Sequence, residues 1–96
     1  MSIQSQIKES RNEITRIALH HGVATISIFG SVVREEDNQS SDIDFLVNFE
    51  EGRTLFDLIR LKQDLETLLG RPVDVVSVNA LHPRIKNQVI NQAVQL

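Results

Sequence analysis

The stretch "TLFDLIRLKQDLETLLG", Thr54 to Gly70, constrains the fold more than any other part of the chain. Leu55, Leu58, Ile59, Leu65, Leu68 and Leu69 recur at three- and four-residue steps, the spacing of an amphipathic helix, with Thr54 available as N-cap and Gly70 as C-terminal stop. This helix lies between two apolar runs with strand character, "DIDFLVNF" (42–49) and "RPVDVVSV" (71–78), the second entered through Pro72. A helix of this length is enough for a right-handed crossover, so the two flanking strands are expected to be parallel, with their starts at one edge.

The other elements fit around that unit. Residues 2 to about 21 place Ile3, Ile7, Ile14, Ile17 and Ala18 at helical spacing and are expected to form one amphipathic helix ending at Gly22. "VATISIF" then reads as a mostly buried strand that stops at Gly30, and "EEDNQSS" is polar turn material. The short connection from Gly30 to Asp42 favours antiparallel pairing of the strands on either side of it. "HPRIKNQVINQAV" is expected to form a last helix starting near Pro83, whose final residues extend or pack at a sheet edge. The order predicts an α/β (α+β) layer, a small mixed sheet packed by helices.

Composition narrows the functional classes. Ninety-six residues are expected to form a single domain, 1–96. With no cysteine there is neither a disulfide framework nor a thiolate metal site, and no apolar run approaches a membrane span, so a cytoplasmic protein without a membrane partner is expected. Ten Lys and Arg against thirteen Asp and Glu give a formal charge of −3, which argues against a nucleic-acid polymer as partner. Four Phe, with no Trp or Tyr, provide little for a base-stacking platform.

The expected topology gathers Gly30, Ser31, Asp42, Asp44 and Asp74 at one rim of the sheet, although they are distant in sequence. Asp42 and Asp44 lie on one strand face, roughly 6.6 to 6.8 Å apart at Cα, while Ile43 and Phe45 turn the other way. Carboxylates so close repel, and with Asp74 there are three; the simplest compensation is Mg²⁺, which takes one or two carboxylates, waters and substrate phosphates. Gly30 lets a phosphate approach the backbone, the Ser31 hydroxyl can donate to it, and Arg34 could reach a triphosphate oxygen or brace the loop by pairing with a carboxylate. Together these groups suit in-line displacement at phosphorus, hence nucleotidyl transfer at a two-metal site.

"FGSVVREEDNQSSDIDFLV" resembles the Gly-Ser and Asp-x-Asp signature of the DNA polymerase β-like nucleotidyltransferase superfamily, and "RPVDVVSVNALHPRIKNQVINQAVQL" resembles the closing part of its minimal branch. The resemblance implies a polymerase β palm-like fold in which Asp42, Asp44 and Asp74 bind the metals, Gly30 and Ser31 hold the triphosphate, and Arg34 matches the family's arginine after Gly-Ser. It further implies ATP as nucleotide and transfer of AMP to a tyrosine of a HEPN-type toxin for which the protein is the antitoxin. Glu35 stands where the family pattern often has Gly, and Val32 and Val33 where Arg and Ala are frequent.

Taken singly, these signals are weak: Gly-Ser usually just turns a chain, and acidic residues heading a strand are commonly solvated. Their convergence carries the reading. His20 and His21 are adjacent at a helix end rather than spaced as ligands, His82 reads as a solvated helix-entry residue, and "REEDNQSSD" lacks the spacing of a calcium loop. Two functions follow: an adenylate transferase whose acceptor brings its own contact surface, or a non-catalytic antitoxin that neutralises its partner by forming a stoichiometric complex. A homodimer is compatible with both.

Overall fold

The computed structural model describes residues 3–30 and 42–96. Its elements run α1 (Ile3–Glu9), α2 (Arg11–His20), β1 (Val23–Phe29), β2 (Ile43–Phe49), α3 (Leu55–Leu69), β3 (Val73–Ser77), a 3₁₀ turn (Val78–Ala80), α4 (Pro83–Gln92) and β4 (Val94–Gln95). The strands form one mixed sheet in the order β3-β2-β1-β4. β1 pairs antiparallel with β2 and with β4, while β2 and β3, joined through α3, are parallel. The α/β class and both expected pairings, β1 with β2 and β2 with β3, are as read from the chain; the antiparallel pairing of β4 with β1 makes definite the sheet-edge packing expected of the last residues.

Strand alternation decides which face is covered. Ile26 and Ile28 of β1, Ile43, Phe45 and Val47 of β2, and Val73 of β3 are buried against Ile7, Ile14 and Ala18 of α1 and α2 and Leu61, Leu65 and Leu69 of α3. Their cross-strand alignment, Ile28 with Phe45 and Ile43 with Val73, fixes one face as core. A one-residue slip of β2 would turn three fully buried apolar side chains to solvent, so the register is strongly specified.

Two expectations are corrected. The first helix is two: α1 and α2 meet at Ser10, whose φ −94° and ψ 4° leave the helical region. The hydrogen-bond ladder still crosses this bend, through Ser10 N–H to the Gln6 carbonyl at 3.0 Å and Ile14 N–H to the Ser10 carbonyl at 2.9 Å. The bend lets Ile7 and Ile14 reach the same core. On α3 the buried stripe is Leu61, Leu65 and Leu69; Leu55 and Ile59, expected on the apolar face, are exposed, as is Phe56. At about 100° per residue Ile59 points about 120° away from Leu65, so the sheet can cover only one of these directions.

The helix ends follow local chemistry. At the start of α3, Thr54 N–H donates to the Asp57 carboxylate at 2.9 Å, and Gly70 ends it in the left-handed region with φ 68°. His82 is more than a solvated residue: its Nδ1 accepts from Arg84 N–H at 3.1 Å and caps α4. His21 is buried, and its Nε2 lies 2.6 Å from Asp64 Oδ2, tying α2 to α3. Gln6 Nε2 donates to the Leu69 carbonyl at 2.8 Å, which anchors α1 to the end of α3.

Candidate active site

The strand face opposite the core carries the site. With Ile43, Phe45 and Val47 committed inward, Asp44 must face away from the helices, and the parallel register sets Asp74 of β3 directly beside it. On its other side Asp44 is aligned with Phe29, the last residue of β1. Asp42 immediately precedes β2, where the Ile43 N–H donates to the Pro72 carbonyl at 3.4 Å and closes the amino end of the β2–β3 pair. Asp42 and Asp74 are exposed, whereas Asp44 is half-buried. Three elements distant in sequence thus end at one rim.

Gly30 completes the described part of that rim. Its φ of 79° is a conformation L side chains rarely adopt, and a Cβ there would collide with the Asp44 carboxylate. The glycine is required twice over, to turn the chain and to let the backbone lie against the acid. Because no side chain projects from Gly30, its backbone lies directly against the Asp44 carboxylate at the end of the sheet.

Ser31 and Arg34 lie outside the described residues, as do Val32, Val33, Glu35 and the whole polar connection. Among the described residues no three His, Asp or Glu side chains draw together tightly enough to hold a metal by themselves. The donor set nevertheless fits Mg²⁺, which is bound through one or two carboxylates plus substrate phosphates rather than in an all-protein cage. Asp44 and Asp74 on adjoining strand positions, with Asp42 just before β2, would offer hard oxygen ligands. His20 and His21 are far from this arrangement in role: their rings meet edge-on at 5.2 Å, and His21 is engaged with Asp64.

Sequence reasoning missed Phe29 as a neighbour of Asp44. The signal was present, since β1 and β2 were expected to be antiparallel across a connection that starts at Gly30, but the register of the pair could not be counted through that polar segment.

The model of the Polymerase beta, Nucleotidyltransferase family matches residues 12–96. The chain belongs to this family. A nucleotidyltransferase of this kind fits the rim just described. A protein of Methanocaldococcus jannaschii that bears the provisional name protein adenylyltransferase MJ0435 is 49% identical over 90 residues, covering 94% of this chain and 97% of that one. The solved structure of a provisionally named minimal nucleotidyltransferase superposes with a TM-score of 0.90 at 44% identity, over 100% of this chain and 97% of the other. A toxin-antitoxin crystal structure with AMP-PNP matches with a TM-score of 0.75 at 26% identity, covering 88% of this chain and 69% of that one. The fold, the family and the enzyme class agree. Among the described residues no helix is long and apolar enough to cross a membrane.

Proposed function

We propose that this nucleotidyltransferase moves AMP from ATP to a hydroxyl, a tyrosine hydroxyl of a HEPN-type toxin, and by doing so acts as its antitoxin in the cytoplasm. The observation that carries the proposal is the alignment of Asp44 with Asp74 across parallel strands, with Gly30 packed against Asp44. Support for the nucleotide and the setting comes from the relative named as an adenylyltransferase and from the toxin-antitoxin structure with AMP-PNP.

In this reading Gly30 and Ser31 hold the triphosphate, Arg34 neutralises its charge, and Asp42, Asp44 and Asp74 would hold Mg²⁺. When bound, the ion supplies charge neutralisation at the phosphates and lowers the cost of forming the attacking alkoxide. The acceptor oxygen forms its bond to the α-phosphorus, the bond from that phosphorus to the bridging oxygen breaks, and pyrophosphate leaves with the electron pair. The hydroxyl proton passes by way of the rim carboxylates to solvent. The chain's own work is placement: the core-side register of β2 and β3 holds two acids side by side, so the reacting groups meet without a search.

Incubating the protein, Mg²⁺ and ATP labelled on the α-phosphate with the HEPN-type partner tests this directly. Label is expected on the partner with the wild type and not with Asp42→Asn/Asp44→Asn; equal labelling by both proteins would overturn the proposal.

A second reading has an observation of its own. Leu55, Phe56 and Ile59 on α3 are large, apolar and exposed, which suits a surface that binds a partner stoichiometrically. Neutralisation separates the two: a protein lacking all three aspartates should still protect if it acts by occlusion and should not if it acts by transfer.

A further inference from the structure

β3 and β4 are at opposite edges of the sheet, so the chain between them must cross three inter-strand gaps, about 14 Å. The ten residues of α4 span about 15 Å, a close match. The crossing is made on the face away from the core, where Ile90 and Ala93 stand over Thr25, Ser27, Leu46 and Asn48. Yet α4 buries none of its side chains, and Ile85 and Ile90 remain 46% and 41% exposed. A crossover that covers a sheet normally packs onto it; this one stands off. Beneath it is a cleft of about 330 Å³.

Two properties relate this cleft to the rim beside it. It is continuous with the rim, because Leu46 follows Asp44 on the same face of β2 and Ser27 precedes Phe29 on the same face of β1, each a two-residue step of about 6.6 to 6.8 Å. It is also uncharged: the described residues that line it carry hydroxyls and amides (Thr25, Ser27, Asn48, Gln95) and apolar groups (Leu46, Ile90), next to a rim that carries three aspartates.

We infer that this cleft is the acceptor channel, taking a neutral, hydroxyl-bearing side chain of a protein partner together with its flanking backbone. The inference rests on the reading of the rim as a nucleotidyl-transfer site. Geometry favours the acceptor over the nucleoside. A triphosphate held against Gly30 would lie beyond the end of β1 at Phe29, with its departing pyrophosphate directed away from the sheet. In-line attack at the α-phosphorus would then come from the opposite side, over the sheet face that α4 crosses, where the cleft lies. Its volume is at the small end for ligand pockets, enough for one aromatic side chain with flanking backbone. The absence of charge among the described lining groups suits a phenol, whose ring would pack on Ile90 and Ala93 above the buried Leu46, and the hydroxyl and amide ladder offers partners for a peptide's backbone. Thr25, Asn48 and Ile90 thereby become specificity-determining positions remote from the acids.

The test uses Ile90→Arg and Asn48→Arg, two exposed positions on separate elements, so that a folding defect in one leaves the other. Partner labelling is measured against acceptor concentration, and nucleotide affinity by titration with a fluorescent ATP analogue in the presence of Mg²⁺. The expected result is an acceptor KM raised at least about tenfold with nucleotide affinity held within about twofold, the signature of lost acceptor binding alone. An unchanged acceptor KM overturns the inference. Loss of nucleotide affinity in both variants also overturns it, by giving the cleft to the nucleoside instead. If the wild type itself fails to label the partner, the transfer reading has failed and the channel falls with it, an outcome distinct from the first two because there the wild type labels normally.

Discussion

At the residue scale, the arrangement sets activity against stability. Asp44 and Asp74 are like charges on adjoining backbone positions, an arrangement that weakens a sheet. Asp74→Asn is therefore expected to stabilise the metal-free protein by about 0.2–1 kcal/mol in urea denaturation. The same change is expected to reduce transfer by at least about a hundredfold, the scale on which losing one electrostatic contact to a charged transition state is felt. A loss of both stability and activity would mean that Asp74 is structural. Gly30→Ala should move the other way on stability, costing about 1–2 kcal/mol for the left-handed backbone and more for the collision with Asp44. These residues are legible in the sequence because a strand's side chains alternate: once Ile43, Phe45 and Val47 are assigned inward, Asp44 has one direction left. Ser31 and Arg34 have no such neighbours to fix them, and the alternation that places Asp44 says nothing about either.

At the element scale, α3 decides the topology, and its first turn is held electrostatically. The Asp57 carboxyl is held below its ordinary value, chiefly by the Thr54 N–H, which outweighs the opposing effect of burial, with a lesser contribution from the Arg53 guanidinium 3.6 Å away. A carboxyl whose value is lowered by folding adds stability above its unfolded value, and that stability is lost as pH falls through the lowered one. The stability difference between the wild type and Asp57→Asn should thus be largest near neutral pH and shrink as the pH drops below about 4, measured by thermal unfolding across that range. The link between His21 and Asp64 gives a second expectation: Asp64→Ala should cost about 1 kcal/mol, less than a fully buried charged hydrogen bond because Asp64 is half exposed. The start and stop of α3 could be read from Thr54 and Gly70. Which of its leucines are buried could not, since Leu55, Leu58 and Ile59 have helical spacing as good as that of Leu61, Leu65 and Leu69, and only the sheet's position selects between them. Ser10 was equally opaque: the i to i−4 bonds continue through it, so the sequence pattern continues as well.

At the scale of the whole molecule, one sheet with two unlike faces separates folding from chemistry. Helices α1, α2 and α3 cover the face that carries Ile26, Ile28, Ile43, Phe45, Val47 and Val73, and the acids occupy the end of the other, which α4 crosses with none of its side chains buried. The parallel and antiparallel pairings follow from connection lengths and were readable. The stand-off of α4 was not, because it depends on the distance between two sheet edges rather than on any residue's preference. The division of labour leads to the central claim, that the rim formed by β1, β2 and β3 transfers adenylate to a protein hydroxyl. Intact-mass spectrometry of the HEPN-type partner, after incubation with this protein, Mg²⁺ and ATP, tests that claim most directly. Discrete adenylate increments are predicted with the wild type and none with Asp42→Asn/Asp44→Asn, while an unmodified partner in the wild-type reaction, with the protein folded and nucleotide bound, would contradict the account.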